Sequence, residues 1–129
     1  KYGLKELHDY LKTNHYKICI ASSSSVPHIK RLVNNCGFDF KADLILSSQD
    51  AYASKPAPDL FLACAKEMGV EPKNCLVLED SKNGIRAAYN ANMHRIWIPD
   101  QVQFNEEDMK YVELQCENLK RVIDILEAM

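Results

Sequence analysis

Apolar positions along this chain fall into short runs of strand length separated by longer stretches with helical spacing. Leu4, Leu7, Tyr10 and Leu11 recur on one side of a 3.6-residue period and predict an amphipathic helix over residues 3–14. Residues 18–21 form a compact apolar run, read as a buried strand. Ser25 then stands as a natural N-cap with Pro27 in the first turn. Ile29, Leu32, Val33 and Cys36 line one face of the helix that follows, and Gly37 ends it. Residues 44–46 predict a second strand, followed by a polar loop over 47–54. Pro58 opens a third helix, with Leu60, Phe61, Ala63, Cys64 and Met68 preceding Gly69. A third strand is predicted at 75–78, a fourth helix at 85–91 and a fourth strand at 96–98. Residues 112–114 read as an edge strand, and 119–126 as a closing helix capped by Asn118.

Strand and helix therefore alternate without repeat, low-complexity tract or linker. That alternation predicts an α/β domain, a Rossmann-like doubly wound parallel sheet with helices on both faces. The one long polar connection, 99–110, carries Glu106, Glu107 and Asp108, read as solvated surface.

Composition narrows the partners. At 129 residues the chain makes one domain at most. A formal net charge of -2 gives no electrostatic reason to expect nucleic acid. No apolar stretch approaches the roughly 20 residues of a membrane span, so no membrane partner is expected. Cys19, Cys36, Cys64, Cys75 and Cys116 show no metal-type pair spacing and predict reduced, structural thiols in a cytoplasmic protein. His8, His15, His28 and His94 show no nucleophile or ligand pattern, and Trp97, Phe38, Phe40 and Phe61 are assigned to the core. Residue 1 is Lys and a helical pattern starts at once, so the chain is expected to be a piece of something longer.

Candidate chemistry gathers at the ends of the apolar runs. Leu76-Val77-Leu78 gives way to the carboxylates Glu79 and Asp80, then to Ser81-Lys82-Asn83-Gly84. The carboxyl ends of parallel strands are where open α/β sheets place ligands, and two carboxylates suit a hard cation such as Mg2+. Taken alone, Asp80 or Ser81 is equally a helix cap and Glu79 an exposed strand end. Pro56 and Pro58 stiffen the backbone around Lys55, which would hold the lysine at a fixed site. Alone it reads as a solvated lysine; beside the carboxylates it reads as a fixed counter-charge. Ser22 to Ser25 can simply cap a helix, or Ser22 and the amides after it can hold a phosphoryl group at a helix start.

Together these segments resemble three motifs of the haloacid dehalogenase superfamily, in the β-phosphoglucomutase-like phosphatase subgroup. Ile18-Cys19-Ile20-Ala21-Ser22-Ser23-Ser24 is similar to its second motif, and Lys55-Pro56-Ala57-Pro58-Asp59-Leu60-Phe61 to its third. The stretch from Val77 through Glu79-Asp80-Ser81-Lys82-Asn83-Gly84 to Ala88 is similar to its fourth. The resemblance implies Mg2+ held by Glu79 and Asp80, with phosphate bound by Ser22, Ser23 and Lys55. It implies hydrolysis of a small phosphorylated metabolite through a phospho-aspartate intermediate, which splits one displacement into two easier ones. It also implies a first motif, Asp-x-Asp after an apolar strand, which this chain lacks. Asp39, Asp43, Asp50 and Asp100 stand in the wrong contexts to replace it.

In the family that strand lies mid-sheet, between those ending at Glu79 and at Ser22. The chain is therefore expected to form a single, incomplete core domain over 1–129 without its central first strand and without a cap domain. The missing amino-terminal segment, or another chain, is expected to complete the sheet and supply the nucleophile. Mutases of this type usually carry Lys-Asn shortly after the second-motif serines, where this chain has Ser25-Val26. That favours a phosphatase over phosphoryl transfer on a sugar phosphate. A catalytically dead domain kept for binding or assembly is the third reading.

Overall fold

The structure, a computed structural model, describes residues 2–49 and 52–129. Asp50, weighed above as a substitute nucleophile, lies outside the described residues. The elements run α1 (Leu4–Thr13), β1 (Cys19–Ser22), α2 (Val26–Asn34), β2 (Leu44–Ser47), α3 (Asp59–Met68), β3 (Leu76–Glu79), α4 (Lys82–Asn90), β4 (His94–Trp97), α5 (Glu106–Met109), β5 (Leu114–Gln115) and α6 (Leu119–Glu127). A single 3-10 turn, Pro72–Asn74, leads into β3.

All strand pairings among the described residues are parallel, as the alternating pattern requires. Helices cover both faces. On one, Phe61 and Ala65 of α3 pack with Ala87, Ala88 and Ala91 against Ala21 and Val77. On the other, Leu7 of α1 and Val122 and Leu126 of α6 pack with Ile96 and Leu78. Val77 and Leu78, adjacent on β3, thus serve opposite layers, as the two-residue strand period dictates. No helix among the described residues is long and apolar enough to cross a membrane.

The sheet is divided. β1 pairs with β2, and β3, β4 and β5 form a second group. Between them lies a cavity of about 480 Å³. Its edges are Cys19 and Ala21 of β1 and Leu76 to Glu79 of β3. Phe61, Cys64, Ala65 and Met68 close one side, and Leu7, Leu11, Val122 and Leu126 the other. Among the described residues, apolar walls thus lie above and below the edges of β1 and β3 that face the cavity.

Several expectations need correction. α2 ends at Asn34, ahead of Gly37, and of its apolar stripe only Ile29 is buried, while Leu32 is 59% exposed. The helix packs chiefly on β2, too narrow a surface to cover the whole stripe. The edge strand is Leu114–Gln115 rather than 112–114, and α4 begins at Lys82. Of the acidic run at 106–108, Glu106 and Glu107 are exposed as expected, but the run forms a helical turn and Asp108 is half-buried. Asn105 and Asp108 form a reciprocal capping box, and Asp108 pairs with Lys82 at 3.1 Å. Phe38 and Phe40 are half-buried rather than core, packed on the buried ring of His8 at 5.2 and 4.9 Å between centroids.

Candidate active site

The two strand groups end on the same side, and their carboxyl ends frame a second cavity of about 600 Å³. Ser22 and Ser23 reach it from β1, Glu79 from β3, Ser81, Lys82 and Asn83 from the start of α4, and Lys55 from the loop before α3. Residues separated by up to 61 positions in sequence thus meet at one opening, because parallel strands present their ends together.

Lys55 ties the opening across the divided sheet. Its ammonium donates to the Ala21 carbonyl at the end of β1, at 3.3 Å, and to Glu79 Oε2 at the end of β3, also at 3.3 Å. The Nζ sits 4.8 Å from the centroid of the Phe61 ring, a cation–π contact from the first turn of α3. The Lys55 and Glu79 side chains are only 14% and 16% exposed, so the pair is partly desolvated and its geometry is held. The Lys55–Pro56 peptide is cis.

Glu79 is fixed a second time. Ser81 donates its hydroxyl to Glu79 Oε1 at 3.0 Å and accepts from the Gly84 amide at 3.0 Å, capping α4 in the same stroke. Gly84 is packed directly beneath this carboxylate: a Cβ there would overlap Glu79 Cγ and Cδ. Between the two open readings of the motif, Ser81 is the cap and Glu79 is a held, half-buried group. Asp80 follows it, also half-buried.

The serine loop is braced from below. Ser22 Oγ accepts from the Ser24 amide at 3.1 Å, while Ser25 caps α2 by accepting from the His28 amide. Ser47, fully buried and in register with Ser22, donates to the Ser24 carbonyl at 2.6 Å. Gln49 donates its side-chain amide to the Ser23 carbonyl at 2.9 Å. Ser47 and Gln49 fall within the polar loop expected over 47–54, with no functional role assigned from the sequence. The signal that could have found them is the polar end of an otherwise apolar strand beside Ser22.

The donor set of Glu79 and Asp80 is all carboxylate oxygen, which fits a hard divalent cation that keeps waters and substrate oxygens as its other ligands. Among the described residues no group of three or more His, Cys, Asp or Glu side chains stands together to hold an ion. Any such cation would therefore need further oxygens from water, substrate or another segment.

Comparison with known proteins gives a consistent result. A family model described as haloacid dehalogenase-like hydrolase matches residues 1–92. The chain is 36% identical over 104 residues to a probable pseudouridine-5'-phosphatase of Drosophila melanogaster, covering 76% of this chain and 45% of that protein. It is 31% identical over 97 residues to hexitol phosphatase B of Escherichia coli strain K12, covering 75% and 44%. Among solved structures, the β-phosphoglucomutase of Clostridium difficile superposes with a TM-score of 0.79 at 28% identity, covering 98% of this chain and 54% of that one. The chain spans about half the length of the curated relatives it matches.

Proposed function

The chain belongs to the haloacid dehalogenase-like hydrolases, and from that premise we propose that it is the phosphate- and metal-binding part of a phosphomonoester hydrolase. The substrate is a small phosphorylated metabolite, and Mg2+ is the cofactor. One observation supports this above the rest: Lys55 joins the strand that carries the serines to the strand that carries the carboxylates, at a common cavity.

In this reading Ser22 and Ser23 hold phosphoryl oxygens, and Lys55 offsets charge on both substrate and carboxylates. Glu79 and Asp80 hold the cation, Glu79 through its contacts or by exchanging them for the ion. When bound, Mg2+ would stabilise the charge that builds on the transferring phosphoryl group. The nucleophilic aspartate comes from a strand seated in the slot between β1 and β3. There it would project its carboxyl end between Ser22 and Glu79, and a phospho-aspartate would form on it. Its source is a preceding segment of the same protein or a second chain. The mutase reading is less favoured, since Ser25 is committed to capping and Val26 opens α2.

The test uses the full-length protein and p-nitrophenyl phosphate. Phosphate release should need Mg2+, stop with EDTA and return when Mg2+ is restored, and Asp80→Asn should lower the affinity for Mg2+ by at least the factor of about 10 to 100 that loss of an outer-shell partner costs. Hydrolysis that persists in EDTA, or an Asp80→Asn protein with an unchanged Mg2+ requirement, would show that the metal assignment is wrong.

A further inference from the structure

Successive carbonyls where β1 turns into α2 are all occupied. Ala21 accepts from the Lys55 ammonium at 3.3 Å, and Ser22 from the Ser48 amide at 3.0 Å. Ser23 accepts from the Gln49 side-chain amide at 2.9 Å, and Ser24 from the Ser47 hydroxyl at 2.6 Å. Adjacent residues at the end of β2 thus hold adjacent carbonyls of the serine loop. On the assignment of Ser22 and Ser23 as phosphate ligands, we propose that Ser47 and Gln49 are positioning residues for the phosphoryl group. They draw the loop carbonyls back, so that its amides and the Ser22 hydroxyl are what the anion meets.

The direction of each bond is fixed by its partners. Ser47 Oγ accepts from the Gln49 backbone amide at 3.0 Å, a group that can only donate. Its own proton therefore goes to the Ser24 carbonyl, which can only accept. Ser47 is fully buried and in register with Ser22, so this relay is shielded from solvent. In a trans peptide the N–H points opposite to the C=O. With the Ser22, Ser23 and Ser24 carbonyls turned toward the β2 end, the amides of Ser23, Ser24 and Ser25 are turned away from it. The Ser24 amide donates to Ser22 Oγ at 3.1 Å, which leaves that hydroxyl its proton to give to a phosphoryl oxygen.

Successive amides held in this way make a concavity that suits an anion, whereas a carbonyl swung into the opening would set its negative end against the phosphoryl group. The Ser23–Ser24 peptide is gripped at both ends, its carbonyl by Gln49 and its N–H by Ser22 Oγ. Ser22 and Ser23 line the active-site cavity, while Ser47 and Gln49 stand behind them. Their effect is therefore exerted through the loop and not by contact with substrate.

Inorganic phosphate is the probe, titrated calorimetrically into the full-length protein with Mg2+ present. Ser47→Ala and Gln49→Met should each raise its Kd by about 3- to 10-fold, the share of one hydrogen bond. KM for p-nitrophenyl phosphate should rise with it, while the affinity for Mg2+ alone stays within about twofold, a split that general loosening of the fold would not produce. Gln49 is exposed, so Gln49→Met tests the loop without opening the core, whatever Ser47→Ala does to folding. Unchanged phosphate affinity in Gln49→Met, or equal losses of phosphate and Mg2+ affinity, would overturn the inference while leaving Mg2+-dependent hydrolysis intact as a reading of the wild-type protein. Weakened phosphate binding in a protein whose wild type shows no such hydrolysis would keep the positioning role and remove that reading instead.

Discussion

Lys55→Met is expected to lower kcat of the full-length protein by about 10²- to 10³-fold, the usual loss when one preorganised charge-stabilising donor is removed. Lys55 touches the ends of both strand groups and lies over the Phe61 ring, so its loss withdraws positive charge from both sides of the opening at once. Its removal also leaves the partly buried Glu79 carboxylate without its counter-charge, at a cost on the order of 1–3 kcal/mol. Lys55→Arg should recover the fold more than the rate. A guanidinium keeps the charge but spreads it over a planar fork that does not match a compact ammonium held between a carbonyl and a carboxylate. Steady-state kinetics with a denaturant titration of both variants separates these effects. A Lys55→Met enzyme with wild-type kcat would show that the lysine is structural only.

Gly84→Ala should reverse the usual sign of a glycine-to-alanine change in a helix. Gly84 lies in the first turn of α4, where alanine ordinarily stabilises by up to about 1 kcal/mol. Here the new methyl would occupy the space of Glu79 Cγ and Cδ. Glu79 must then swing away from Lys55 and Ser81, or α4 must lift from β3. The expected loss is about 1–3 kcal/mol, with activity falling alongside it. The discriminating control is Glu79→Ala, which empties the same space. In that background Gly84→Ala should be neutral or stabilising, and the double-mutant cycle should show strong coupling. Two additive losses would mean that Gly84 does not serve the carboxylate.

How far the sequence reveals this arrangement depends on the range of the interaction. Ser25 and Asn118 are legible as caps, and Ser81 as one of two candidates with Asp80, because the rule acts over three residues; the side-chain oxygen of each accepts from the backbone amide three residues on. Gly69 is legible for the same reason: it ends α3 with φ at 68°, in the left-handed region that glycine tolerates. The meeting of Ser22, Lys55 and Glu79 is long-range, and only the order of three motifs made it visible. The Asn105–Asp108 box obeys the same three-residue rule, but the run of acidic residues around it masks the signal. Where neither rule applies, the sequence is silent: Lys82 gives no sign of reaching Asp108. The support that Gly84 gives to Glu79 and the contact of Cys19 with Cys64 arise only from packing. Leu32 follows the helical period yet is exposed, because periodicity says which residues share a face but not whether another element covers it.

The central claim is that this chain supplies the cradle for phosphate and metal, while the nucleophile arrives on a strand that fills the slot between β1 and β3. The most direct measurement is Mg2+-dependent phosphate release from p-nitrophenyl phosphate by two proteins side by side. One is the 129-residue chain, and the other is the same chain preceded by its upstream coding sequence, in which the account expects an apolar strand ending in Asp-x-Asp. The account predicts no turnover by the first and sustained, EDTA-sensitive turnover by the second. Turnover by the purified 129-residue chain alone would contradict it.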